Sequence, residues 1–267
     1  PPPLIGIDQE GGQLIAITGG ATELPGNMAL GATRSVALAE KAGRVLAREL
    51  LAMGMNMNFA PSVDVNINPA NPVIGLRSFG DEPEAVSALG IGMIHGMQAE
   101  GLIATAKHFP GHGDTGADTH HGDAIIPYDS ERIHRVELAP FREAIKAGVD
   151  AIMSAHIRVT TLDPDWPATM SRKILTDLLR RELGFDGLVI TDAMDMWAVA
   201  RHGNEESIQA ALDAGADLIL LGHIKGQMEL MTRFTENAAS VARINAVRQR
   251  LATTLPAFDV VGCAEHQ

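Results

Sequence analysis

The chain has 267 residues, 46% hydrophobic and 20% charged, enough apolar material to bury a large core and a length close to that of one α/β barrel domain. Its 33 acidic against 21 basic residues give a net charge of −12, and with no Lys/Arg run beyond Arg180-Arg181 a polyanion is repelled rather than collected, which sets nucleic acid aside as a partner. Cys263 is the only cysteine, so an internal disulfide framework and a cysteine-based zinc site are excluded, and no apolar run reaches the roughly 18 to 20 residues of a membrane span.

In chain order, the opening "PPPLIGID" predicts a strand over 4–8 and reads like the interior of a longer protein, which leaves the compartment unconstrained. A helix follows over 35–53, with apolar Val36, Ala39, Leu46, Leu50 and Met53. Gly54 then precedes a strand at 55–64. A helix over 84–100, entered through "DEP", ends at Gly101 before a strand at 103–109. Gly148 precedes a strand at 151–157. Ser171 caps a helix through Ile174, Leu175, Leu178, Leu179 and Leu183 to Gly184, ahead of a strand at 188–194. Asn204, with Glu205 and Glu206 in the first turn, starts a helix that reaches Gly215 and a last strand at 217–223.

The five glycines lie 47, 47, 36 and 31 residues apart, room each time for a strand, a loop and a returning helix. Two units align without a gap, "EAIKAGVDAIMSAH" (143–156) and "AALDAGADLILLGH" (210–223). Such βα repetition predicts a parallel sheet, and no dinucleotide or Walker glycine pattern follows any strand.

Polar residues recur where the strands end: Asp8, the "PSVDVN" segment, Lys107 with His108, His156, Asp192 and His223. In a parallel barrel those ends share one face and converge on a pocket. Asp192, behind four buried strand residues, suits a nucleophile or an electrostatic stabiliser; Asp195, three residues on, fits a first helical turn better. "KHFPGHGDTGADTHH" (107–121) leaves the third strand. Its Gly111, Gly113 and Gly116 let the loop bend, and Asp118 two residues before His120 forms a pair able to transfer a proton. A metal cluster built on His108, His112, Asp114, His120 and His121, or a solvated surface loop, are the competing readings. A phosphate cradle is the weakest, because Lys107 is the one fixed cation there.

"IGIDQEGG" (5–12), "NFAPSVDV" (58–65), "RSFG" (77–80), "AKHFPGHGDT" (106–115), "DTH" (118–120) and "ITDAMDM" (190–196) together resemble glycoside hydrolase family 3, in its β-N-acetylhexosaminidase (NagZ-like) branch. The resemblance implies a TIM-like (β/α)8 barrel, here lacking its first βα unit, with residues 1–255 as the catalytic domain and 256–267 as the start of a linker to a C-terminal domain. A barrel so opened is expected to expose strand edges and to be weakly stable or self-associating. The resemblance implies a retaining β-N-acetylglucosaminidase with no metal or other cofactor, acting on a carbohydrate. Asp192 is then the nucleophile, His120 paired with Asp118 the acid/base, and Asp8, Arg77, Lys107 and His108 sugar ligands, with His156 bordering the same subsite. A histidine replaces the usual second carboxylate, and some relatives pass the sugar to phosphate, so a phosphorylase is the alternative within the family. Pro127 comes later than in the family pattern, which lets His121 compete with His120; the spacing to Asp118 favours His120. Outside the family, a metal-dependent barrel hydrolase and a non-catalytic sugar-binding module stay open. Tyr128, Trp166 and Trp197 are the only large polar-tipped aromatics, and Trp197 serves equally well as core.

Overall fold

The computed structural model describes residues 2–119, 122–223 and 225–267. A parallel sheet lies at its centre, made of β1 (Gly6–Ile7), β2 (Met57–Asn58), β3 (Ile103–Phe109), β4 (Ala151–Ser154) and β5 (Leu188–Thr191). They stand side by side in chain order, in the registers Gly6↔Met57, Met57↔Ile103, Thr105↔Ala151 and Ala151↔Leu188. The returning elements are α1 (Val36–Ala52), α2 (Pro83–Ala99), α3 (Ala139–Lys146), α4 (Lys173–Glu182), α5 (Asn204–Ala214) and α6 (Ala238–Arg248). All five marker glycines have positive φ, from 72° at Gly184 to 116° at Gly215, the left-handed turn that ends a helix and sends the chain into the next strand.

Both faces of the sheet are covered, as a parallel sheet requires. All seven residues of β3 are buried. On the outer face Ala104, Ala106, Ile152 and Val189 share one cluster with Leu50, Met97 and Phe141 of the helices. On the inner face Met57, Ile103, Ala151 and Leu188, the first residues of their strands or next to them, meet Val247 and Leu251 at the end of α6. α6 therefore plugs the end of the curled sheet where the strands begin and leaves the other end free for a site.

The structure trims several expected elements. The strands expected over 4–8 and 55–64 are two residues each, the second extended by a bridge from Ser62 to Lys107. The strand expected at 217–223 is reduced to a bridge between Leu218 and Ile190. Thr191 Oγ1 takes the amide of Leu220 at 3.0 Å, so a side chain stands where a ladder carbonyl would be. Among the described residues no ladder joins β1 to this edge: the observed sheet is a curled, open α/β half-barrel. Ser171 Oγ accepts the amide of Ile174, as expected of the cap. The helix behind it is wider than an α-helix, with Leu183 N bonded to Leu178 O; nothing in the local sequence explains that.

Residues 256–267 fold back onto α1. Glu49, 4% exposed, receives the amide of Gly262 at 3.0 Å, His266 Nδ1 at 2.7 Å, and both the amide and the hydroxyl of Thr22. No helix among the described residues is long and apolar enough to cross a membrane.

The loop after β3 departs from the expectation of a glycine hinge at its start. A Cβ on Gly113 would overlap the carbonyl oxygen of Val65, and one on Gly111 would press on Glu137, whereas Gly116 faces open space. The first two glycines are there for close packing, and freedom begins only at Gly116. Gly113→Ala is expected to cost ~1–3 kcal/mol and lower Tm by several degrees, with Gly116→Ala near wild type; equal melting temperatures for the two variants would overturn this assignment.

Candidate active site

The strand ends enclose a cavity of about 220 Å3, and Asp8, Arg77, Lys107, His108, His112 and Asp192 are among its lining residues. These come from four separate segments of the chain, and the ends at Asp8, Lys107 with His108, and Asp192 meet there as the convergence argument expected.

Lys107, at the end of β3, is 1% exposed. Its ammonium lies 2.6 Å from Asp8 Oδ1 and 2.7 Å from Glu10 Oε1. Burial alone would lower its pKa, but Glu10 and Asp8 outweigh burial and hold it raised. Glu10, itself 2% exposed, also grips Arg77 through both oxygens, Nη2 to Oε1 at 2.8 Å and Nε to Oε2 at 3.0 Å. Against burial, which raises it, Lys107 and Arg77 bring the Glu10 pKa down to about 2.

His108 joins this cluster to a second carboxylate. Arg77 Nη2 stands 3.2 Å from His108 Nε2 and can only donate, so Nε2 accepts; the Nδ1 proton then points to Asp64 Oδ2, at 2.7 Å. Asp64 is fully buried and also accepts the amides of His108 and His112 and the hydroxyl of Ser62. Despite burial, those partners hold it well below the ordinary carboxylate range. His112 Nδ1 meets the Thr115 hydroxyl at 2.8 Å. Burial first, then His108, push its pKa down to about 4, so the ring is neutral.

Asp192 follows β5, its amide on Ser154 O at 3.1 Å and its Oδ1 receiving the next amide, of Ala193, at 2.8 Å. Among the described residues no side chain bonds its other oxygen, which is left for the cavity. Burial raises its pKa, and the His108 and His156 rings, the Ala193 amide and Lys107 together outweigh burial and hold it ionised below the ordinary range.

Asp8, Arg77, Lys107, His108 and Asp192 thus come together, and His156 does not join them. His156 is 2% exposed and sits behind the Asp192 turn, with Nδ1 2.9 Å from Thr169 Oγ1 and Nε2 3.0 Å from the Ala193 carbonyl. It is not among the residues lining the cavity, and both ring nitrogens have protein partners. His223 is exposed on the far side of Asp195, which accepts its amide at 2.9 Å. His120 and His121 lie outside the described residues. Their flanks are held against the segment after Asp192. Thr119 lines the cavity and its carbonyl accepts the Ala198 amide, while Asp123 pairs with Arg201 at 2.9 Å. Asp118 is half-buried, and its carbonyl accepts the Gly122 amide. Among the described residues no group of three His, Cys, Asp or Glu side chains is placed to hold a metal ion.

Glu10 and Asp64 carry much of the site's electrostatics without having been singled out from the sequence, and His112 was singled out only as a candidate metal ligand. Glu10 lies two residues past Asp8, and Asp64 lies in "PSVDVN", where strand-end logic pointed to the segment but not to the residue.

A family model, the glycosyl hydrolase family 3 N-terminal domain, matches residues 1–254. The chain belongs to glycoside hydrolase family 3. It is 40% identical over 258 residues to beta-hexosaminidase A of Pseudoalteromonas piscicida, covering 90% of this chain and 43% of that protein. It superposes with a TM-score of 0.91 on a family 3 β-N-acetylglucosaminidase of a Paenibacillus strain, at 45% identity, over 98% of this chain and 54% of that one. NagZ of Neisseria gonorrhoeae, solved with N-trifluoroacetyl-D-glucosamine, gives a TM-score of 0.82 at 31% identity over 91% of this chain and 73% of that one. The chain therefore spans about half the length of the first two relatives, and its half-barrel corresponds to the TIM-like N-terminal domain of the family.

His112 supplies a pH signature for the family 3 site. Its folded pKa lies below the ordinary 6.5, so as pH falls from about 6.5 to 4 the unfolded chain takes up a proton that the folded one refuses, and stability is lost. Asp150, pushed up to about 6 by burial, works in the opposite direction over much of that window, so the readout is a difference between proteins. Between pH 7 and 4, wild type is expected to lose ~3 kcal/mol relative to His112→Gln. Parallel stability curves from urea titrations at each pH would show the ring to be protonated in the fold.

Proposed function

We propose that the protein is a retaining β-N-acetylglucosaminidase that removes terminal β-linked N-acetylglucosamine from cell-wall or chitin-derived oligosaccharides. The observation that carries this reading is the placement of Asp192: ionised, fixed by main-chain bonds through one oxygen, and presenting the other to a cavity ringed by Asp8, Arg77, Lys107 and His108. Those four offer acceptors and donors at fixed positions, which suits a polyhydroxylated ring. The names of the Paenibacillus and Neisseria relatives, and the amidosugar held by the second, favour a 2-acetamido substrate.

In this scheme Asp192 Oδ2 attacks the anomeric carbon while the bond to the leaving oxygen breaks, and His120 delivers its proton to that oxygen. A glycosyl ester on Asp192 results. His120, now neutral and oriented by Asp118, takes a proton from water as the water oxygen bonds the anomeric carbon and the ester bond breaks. Asp192 returns as carboxylate and the β configuration is retained. A C-terminal domain in the whole protein, following the segment at 256–267, belongs to the same proposal.

The charges around the cavity argue for water over phosphate as acceptor. Asp8, Glu10, Asp64 and Asp192 are set against Lys107 and Arg77, a surplus of carboxylates that steadies a cationic transition state and opposes an incoming anion.

A chromogenic aryl β-N-acetylglucosaminide, with and without phosphate, tests the proposal on wild type, Asp192→Ala and His120→Ala. Asp192→Ala is expected to lose roughly 10³-fold or more in kcat and His120→Ala roughly 10²-fold or more, with phosphate leaving the product unchanged. No release by wild type, or equal release by Asp192→Ala, overturns the reading; sugar 1-phosphate formed only with phosphate would assign a phosphorylase.

A further inference from the structure

His156 is a buried, hydrogen-bonded imidazole next to the reacting group, and the mechanism above gives it no role. We propose that His156 is a positioning residue for Asp192, fixing the turn that aims the free carboxylate oxygen at the anomeric carbon; the inference rests on the assignment of Asp192 as nucleophile. A carbonyl only accepts, so the 3.0 Å contact to Ala193 O places a proton on His156 Nε2. Nδ1 is braced at 2.9 Å by the Thr169 hydroxyl, which lies 2.8 Å from Ser154 Oγ and 2.9 Å from Ala155 O.

The other side of the same peptide unit is held as well. Met194 N donates to Leu220 O at 2.8 Å, so the Ala193–Met194 peptide is clamped by His156 through its carbonyl and by Leu220 through its amide. The preceding peptide puts Ala193 N–H on Asp192 Oδ1, and Asp192 N on Ser154 O. Among the described residues, the bonds that orient the carboxylate are made by main-chain groups of residues 192–194, and of these the bond on Ala193 O is the one whose partner is a side chain. Ser154 contributes to both halves, its carbonyl to Asp192 and its hydroxyl to the Thr169 brace, which ties the aim of Asp192 to the end of β4.

Without the ring, Ala193 O loses its partner and the turn can rotate. A misplacement of about 1 Å costs roughly 10²-fold in rate, and it falls on bond formation, because the sugar ligands on β1 and β3 are untouched. Gln at this position carries an N–H that can reach the same carbonyl and should restore part of the rate.

The test uses the full-length protein and a 5-fluoro glycosyl fluoride of N-acetylglucosamine, with covalent labelling of Asp192 followed by intact mass, and the inhibition constant of free N-acetylglucosamine measured alongside. His156→Ala is expected to label to the wild-type stoichiometry at roughly 10²-fold lower rate, with the inhibition constant within about twofold, and His156→Gln to recover at least tenfold of that rate. Labelling of His156→Ala at the wild-type rate, whether complete or confined to a minor folded fraction, overturns the proposal. So does an inhibition constant that weakens in step with the rate, which would make His156 a sugar ligand. Wild type that binds the sugar but is never labelled removes the nucleophile assignment and this inference with it; wild type labelled normally while His156→Ala is unaffected removes the inference alone.

Discussion

The ammonium of Lys107, 1% exposed at the end of β3, is the constraint from which the site is built. A buried cation costs several kcal/mol unless paired, and its pairing recruits the chain in sequence. Glu10 and Asp8 are brought in from the end of β1, Arg77 is brought to Glu10, His108 to Arg77, and Asp64 to His108. β1 and β2 are only two residues long, too short to fix the relative heights of their loops by ladder bonds alone. The charge chain does that instead, so the same contacts that satisfy the buried lysine also set the positions of the groups lining the cavity.

The two halves of the cavity are held by different means. Around Lys107 the fixing groups are side chains in charge-assisted bonds, strong and directional. Around Asp192 they are main-chain amides and carbonyls, with His156 behind them. Between them, beyond the packed Gly113, Thr119 and Asp123 are tied to Ala198 and Arg201, which follow Asp192 in the chain.

The helix-to-strand rhythm was readable because each Gly-turn needs positive φ, and only glycine adopts that conformation cheaply. The convergence of Asp8, Lys107, His108 and Asp192 on one cavity was readable in turn, because parallel strands place their ends on one face; Arg77, which follows no strand, was expected only from the family resemblance. Glu10 and Asp64 were not, since acidic residues near strand ends are ordinarily solvated, and only the fold reveals that these two are enclosed with cations. His156 and His223 occupy equivalent positions of an internal repeat and differ completely, one sealed behind Asp192 and the other on the surface, because the last strand lacks a ladder beyond Leu218. Gly113 read as a hinge because a sequence records the missing side chain but not the carbonyl of Val65 that fills its place.

The surplus of carboxylates bears on why a histidine is suited to proton transfer here. On the proposed assignment the site already holds Asp8, Glu10, Asp64 and Asp192 around Lys107 and Arg77. A carboxylate acting as acid/base would alternate between neutral and a fifth negative charge, and each neighbour would oppose its ionised, basic form. An imidazole alternates between positive and neutral, so its acid form is favoured by the same field and its basic form adds no charge to repel. On that assignment the negative surround favours the protonated form of either kind of group, and with an imidazole the protonated form is a cation that the surround attracts, while the basic form leaves no further negative charge beside Asp192. Were His120 and Asp118 the pair proposed above, that would be a physical reason for using them where most glycosidases carry a second carboxylate.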